Sequence, residues 1–94
     1  YPAVEHDLAI VVDNSVSCED LERRITSAGG KLLEGVRLFD VYRDPVRVGV
    51  GKKSMAFALT YRSDDHTLTS EEVEKAHQKI VTKVCKGVNG EVRS

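Results

Sequence analysis

The stretch LFDVYRD, residues 38–44, sets a carboxylate and an aromatic ring two positions apart, Asp40 and Tyr42. Residues two apart on a β-strand share a face, so the two side chains stand together. An ionised carboxylate only accepts hydrogen bonds, and a phenol ring offers a flat surface for stacking. The pair therefore suits a planar, N–H-bearing group such as a nucleobase, provided that the strand turns this face away from the core.

Other chemistry finds less support. GVGKKS, residues 49–54, superficially suggests a phosphate-binding loop, but Val46 stands where the first glycine of that motif belongs, and a strand pattern follows where a helix is needed. His6, His66 and His77 form neither an HxxxH pair nor part of a nucleophile elbow. Cys18 and Cys85 lie far apart with no CxxC and no histidine at ligand spacing, which leaves them as small structural residues. Cys18 falls in the first turn of a helix, where a thiol pKa can be lowered. No catalytic constellation and no metal set emerges from these residues.

The elements that must position Asp40 and Tyr42 follow from hydrophobic spacing. His6 to Asp13 alternates as a strand with Leu8, Ile10 and Val12 inward. Ser17 and Asp20 have the spacing of a capping box, with Val16 and Leu21 as a hydrophobic staple, and Leu21, Ile25 and Ala28 mark a short amphipathic helix that Gly29-Gly30 ends. Two further alternating runs, Lys31 to Arg43 and Lys53 to Arg62, predict a hairpin whose loop carries Pro45, Gly49 and Gly51. In the first run Phe39 and Val41 are expected inward and Leu38, Asp40 and Tyr42 outward. In the second, Met55, Phe57, Leu59 and Tyr61 oppose Ser54, Ala56, Ala58 and Thr60. Thr69 and Glu72, flanked by Leu68 and Val73, open the strongest helix in the chain, with Val73, Ala76, Ile80, Val81, Val84 and Val88 as its buried stripe. His77 is expected at the rim of that stripe. Gly87 and Gly90 bracket its end, and Glu91-Val92-Arg93 is long enough only for a short edge strand.

The order βαββαβ predicts a single α+β domain over residues 1–94, a ferredoxin-like sandwich with an antiparallel sheet and both helices on one face. The other face is then uncovered and reads Ala9, Val11, Leu38, Asp40, Tyr42, Ser54, Ala56 and Ala58. Small side chains leave a shallow floor from which one ring, one carboxylate and one hydroxyl rise.

Composition limits the partners. With 40% hydrophobic and 31% charged residues, the chain hides roughly 60–70% of its unfolded surface in one modest core. Its apolar runs fall far short of the ~20 residues of a membrane span. The opening YPAVEHD shows no export signal, so a reducing cytoplasmic setting is expected. Net charge is −1, yet residues 43–62 hold Arg43, Arg47, Lys52, Lys53 and Arg62 against Asp44 alone, a local +4. Cations gathered beside an open face suit phosphates, while the face itself meets a base. Two function classes stay open on these residues: an RNA-binding module, or a ferredoxin-like module that docks a protein or senses a small ligand.

YPAVEHDLAIVVD, LFDVYRD, GKKSMAFALTYRSDDHTLTSEEV and the closing EVR resemble, in order and spacing over almost the whole chain, the ferredoxin-fold anticodon-binding domain, the C-terminal domain of bacterial phenylalanine-tRNA ligase β subunits. The resemblance implies a C-terminal fragment of a larger subunit, with Arg93 where that subunit ends. It implies tRNA-Phe as partner, along with the rest of the β subunit and the α subunit of a heterotetramer. No cofactor is implied in this domain; the ATP and Mg2+ of the full enzyme, and its catalytic site, belong elsewhere. Within the family the open face holds the wobble guanine through positions that are here Ala9, Asp40, Tyr42 and Ser54; from the local charge, Arg43, Lys52 and Lys53 of the hairpin are expected to contact phosphates. Two positions depart from the family pattern: His6 and His66 stand where arginine is common.

Overall fold

Alternation governs the first strand. In β1, Val4–Asp13, the side chains of Leu8, Ile10 and Val12 are buried, while their neighbours are not. The computed structural model describes residues 1–92, in which β1 is followed by α1 (Cys18–Gly29), a 3-10 turn (Gly30–Leu32), β2 (Leu33–Tyr42), β3 (Lys52–Tyr61), α2 (Ser70–Val88) and β4 (Glu91–Val92). Arg93, the last residue of the expected edge strand, lies outside the described residues.

The four strands form one sheet in the order β2-β3-β1-β4, and each neighbouring pair is antiparallel. Leu21 and Ile25 of α1 and Val73, Ile80 and Val84 of α2 join Leu8, Ile10, Val12, Met55, Phe57, Leu59 and Tyr61 in a single core. Both helices thus cover one face, which is the ferredoxin-like arrangement. Each fully buried large side chain contributes roughly 1.5–3 kcal/mol, so this layer is the main source of stability. No helix of the described residues is long and apolar enough to cross a membrane.

The helix starts are set locally. Thr69 and Glu72 form a complete capping box: the Glu72 amide donates to the Thr69 hydroxyl at 3.2 Å, and the Thr69 amide donates to the Glu72 carboxylate at 3.2 Å. At α1 the Asp20 amide donates to Ser17 Oγ at 3.1 Å, but the Asp20 carboxylate turns to Arg23 and Arg24 instead of back to the cap. α2 runs through Gly87 and closes on Asn89, which takes the left-handed conformation at φ 55°.

Three expectations are corrected. Leu38 pairs with Phe57 and Asp40 with Ala56, so Phe39 is the extra residue of a β-bulge. The bulge brings Leu38 to the core side beside Val36 and Val41, and it leaves Phe39 48% exposed rather than buried. His77 is no rim residue. It is 7% exposed, its Nδ1 lies 3.0 Å from the hydroxyl of Tyr61, and its ring packs against His6 with centroids 4.1 Å apart. Cys18 is the third: burial, together with a contact to the Glu22 carboxylate, pushes its thiol pKa up rather than down.

Candidate nucleic-acid interface

Residues opposite one another in a ladder share a face, and the pairing therefore shows what stands on the uncovered side. One row runs Tyr42, Ser54, Val11; the next runs Asp40, Ala56, Ala9; the third runs Arg37, Ala58, Asp7. Successive rows are two residues apart along β1 and β3, about 7 Å, while on β2 the bulge at Phe39 makes the step from Asp40 to Arg37 three residues. Ala9, Asp40, Tyr42 and Ser54 consequently meet in two adjacent rows, across three strands.

The floor of this patch is low because β3 is central and carries small residues. Ser54 is only 3% exposed, with Tyr42 and Val11 on either side, and Ala58 is likewise buried. Ala56 and Ala9 lie between, so nothing large rises beside the Asp40 carboxylate on β3 or β1. Asp40 is exposed and forms no ion pair among the described residues.

Tyr42 is held in place. Its hydroxyl donates to Asp44 Oδ2 at 2.9 Å, while Asp44 Oδ1 accepts from the amides of Val46 at 2.9 Å and Arg47 at 3.4 Å. The Asp44 carbonyl accepts from Val48 at 2.8 Å and Gly49 at 3.3 Å. One residue thus organises the hairpin loop and ties the half-buried ring of Tyr42 to it. Gly49 and Gly51 take φ of 119° and 75°, a backbone that other residues rarely adopt.

The cations divide. Arg43, Arg47 and Lys52 are exposed at the loop end, and Lys52 has the outward parity of Ser54. Lys53 does not: it pairs opposite Val12 on the helix side, is 7% exposed, and donates from Nζ to the Asn14 carbonyl at 3.1 Å. Because the Asn14 amide donates to the Gly51 carbonyl at 2.9 Å, Lys53 helps tie the β1–α1 turn to the hairpin base. Arg62 lies at the far end of β3 and pairs with Glu34 at 3.1 Å. Spacing alone had grouped Lys53 and Arg62 with the loop; strand parity and strand length separate them.

The two histidines also find places away from this patch. His6 stacks on His77 beneath α2, and His66 Nε2 contacts the Glu72 carboxylate at 2.7 Å. That contact lowers the Glu72 pKa, aided by the Thr69 amide. Sequence reading missed Phe39 and Arg37 on this side of the sheet. Phe39 lines a depression of about 320 Å3 with Glu5, Asp7, Arg37 and Ala58. Apolar residues at 36, 38 and 41, spaced by two and then by three, carry the readable sign of the bulge.

A family model for the ferredoxin-fold anticodon binding domain matches residues 1–93. The chain is similar to the phenylalanine–tRNA ligase beta subunit of Clostridium tetani, at 44% identity over 93 residues, which covers 99% of this chain and 12% of that protein. It is similar to the same subunit of Symbiobacterium thermophilum at 48% over 94 residues, 100% of this chain and 10% of that one. With the Bacillus subtilis subunit the identity is 49% over 81 residues, 86% of this chain and 10% of that one. The chain spans about a tenth of the length of these curated relatives.

Proposed function

Because the chain belongs to the ferredoxin-fold anticodon-binding domain family, we propose that its open sheet face reads the anticodon of tRNA-Phe and holds the guanine at the wobble position. The observation that carries this reading is the convergence of Ala9, Asp40, Tyr42 and Ser54 in two neighbouring rows of an uncovered face.

Guanine presents N1–H and N2–H2 side by side, and the Asp40 carboxylate can accept from both. Tyr42, held by Asp44, supplies the stacking surface, and Ser54 adds a hydroxyl. Ala9 and Ala56 let the ring lie close to the sheet. Arg43 and Lys52 neutralise phosphates and set register, whereas Lys53 supports the loop from behind.

Recognition is then separate from catalysis. Similarity to phenylalanine–tRNA ligase beta subunits supports a role within that ligase, alongside the remainder of the β subunit and an α subunit. Among the described residues no three His, Cys, Asp or Glu side chains converge as metal ligands. GVGKKS, for its part, leads into β3 and not into a helix. The ATP and Mg2+ of the full enzyme are assigned on this reading to its other parts, and no step is placed on them here.

An NMR titration with an anticodon stem-loop carrying guanine at the wobble position tests the reading. Shifts should concentrate at Ala9, Asp40, Tyr42 and Ser54 and spread to Arg43 and Lys52. Shifts confined to α1 and α2 would point to a docking role for the helix face instead.

A further inference from the structure

Packing of α1 against α2 leaves a crevice between them, on the side of the molecule away from the open sheet face. Two depressions of about 590 and 400 Å3 make up this crevice and meet at Ala28. Its walls carry six cations, Arg23, Arg24, Lys31, Lys75, Lys79 and Lys83, against two carboxylates, Asp20 and Glu72. Both carboxylates are already engaged, Asp20 by Arg23 and Arg24, and Glu72 by His66. The four lysines form no ion pair among the described residues. We infer that this crevice docks an acidic amphipathic helix from the part of the β subunit that lies beyond this chain. The inference rests on the chain working within phenylalanine–tRNA ligase.

Lys75, Lys79 and Lys83 recur every four residues along α2, so they stand in one exposed row with a step of about 6 Å. Carboxylates spaced by four on a second helix have the same step. Arg24 faces this row from α1. Asp20 forgoes the return contact to its helix cap and takes Arg24 Nε at 2.9 Å, which leaves the two terminal nitrogens of the guanidinium for a further acceptor. Gly87 makes room for them, since a side chain at 87 would begin 2.6 Å from Arg24 Nη1. Glycine inside a helix is unfavourable relative to alanine, and here it lets the guanidinium lie over α2.

Between the cationic walls, Ala28, Leu32, Ala76 and Val84 form a largely apolar floor. Such a floor suits the apolar side of a helix and offers nothing to a sugar-phosphate backbone, which favours protein over RNA as the occupant. Glu71 and Glu74 open onto a separate depression with Gln78, which Lys75 alone shares with the crevice. Exposed ion pairs are individually weak, so a free peptide would bind here poorly. A segment of the same subunit is presented at millimolar effective concentration by its covalent linkage, and a weak, charge-guided contact then suffices. Because the chain spans about a tenth of the length of its relatives, most of such a subunit lies outside it and is available to supply the helix.

The test uses the assembled ligase that carries this chain. A carbodiimide joins a lysine amine to a carboxylate only where the two touch, so Lys75, Lys79 or Lys83 should couple to an aspartate or glutamate of the β subunit outside these 94 residues. Added tRNA-Phe should leave those links in place. Arg24→Glu sets a like charge against the incoming carboxylates and should lower the yield of the lysine links roughly tenfold. Gly87→Ala displaces the guanidinium without changing charge; it should also lower the yield, while melting no earlier than wild type. Unchanged yields in both variants would overturn the docking site, and so would links that tRNA-Phe abolishes, since the crevice would then hold phosphates. A preparation that aminoacylates tRNA-Phe yet gives no link beyond residues 1–94 overturns the docking site alone. One that does not aminoacylate tRNA-Phe counts against the ligase reading, and the docking site falls with it.

Discussion

The hydroxyl of Tyr42 donates to the carboxylate of Asp44 at 2.9 Å, two residues along the chain and at the point where β2 becomes the hairpin loop. Asp44 spends its other oxygen on the loop amides of Val46 and Arg47. The stacking ring and the loop that carries the cations are therefore one mechanical unit. Tyr42→Phe should cost about 0.5–1.5 kcal/mol of stability for the lost hydrogen bond and leave most of the stacking. Tyr42→Ala loses the same hydrogen bond together with the half-buried ring, and should in addition weaken RNA binding by about 1–3 kcal/mol. Urea melts and anisotropy titrations on the same two variants separate the effects.

Leu38 and Phe39 exchange the roles that strict alternation assigns them. Phe39→Ala should change stability by less than about 0.5 kcal/mol, as at other exposed positions. Phe57→Ala, opposite Leu38 in the core, should cost about 3–5 kcal/mol. Leu38→Ala should fall between the two because its side chain is only partly buried. Equal losses at Phe39 and Phe57 in urea melts would place Phe39 in the core.

Lys52 and Lys53 are neighbours with opposite parity. Lys52→Ala should flatten the dependence of log K on log salt by about 0.7, one phosphate contact to a single strand. Lys53→Ala should leave that slope unchanged and lower stability instead, because it removes the donor to the Asn14 carbonyl. Binding isotherms across a salt series, paired with thermal melts, distinguish them.

Burial, and after it the proximity of His6, lower the His77 pKa below its usual value, opposed by Glu74. The unfolded chain then binds a proton that the folded chain refuses, so the favourable contribution is complete above about pH 6.5 and declines as pH falls from there toward the folded pKa. Tyr61, on the other side of that hydrogen bond, is pushed up to about 12 by burial. It withholds its proton in the fold while the unfolded chain releases it, so stability present below pH 10 is lost as pH rises toward 12. Urea midpoints should thus fall at both ends, and His77→Gln should flatten the acidic limb alone.

Much of this was legible in the residues themselves. Leu8, Ile10, Val12, Met55, Phe57, Leu59 and Tyr61 lie inward as their alternation demands, because β1 and β3 pair without interruption. Asp40 and Tyr42 also point outward as expected, since the bulge lies upstream of them. Phe39 and Leu38 exchange places because a bulge is decided by pairing with β3, and its sign in the residues is only the uneven spacing of the apolar positions 36, 38 and 41. His77 is polar by type and was expected only at the rim of the α2 stripe, and Lys53 among the loop cations. Each is buried because a distant partner, Tyr61 in one case and the Asn14 carbonyl in the other, satisfies it.

Competition between guanine and adenine at the wobble position of an anticodon stem-loop, measured for wild type and Asp40→Ala, tests the central claim most directly. Wild type should prefer guanine by about 1–3 kcal/mol, because adenine sets an acceptor against the carboxylate where guanine offers two donors. Inosine, which keeps N1–H and lacks the N2 amine, should fall between them. With Asp40→Ala the three should bind nearly alike while melts match wild type. A variant that still prefers guanine by the full margin would contradict the assignment of Asp40 as the residue that reads the base.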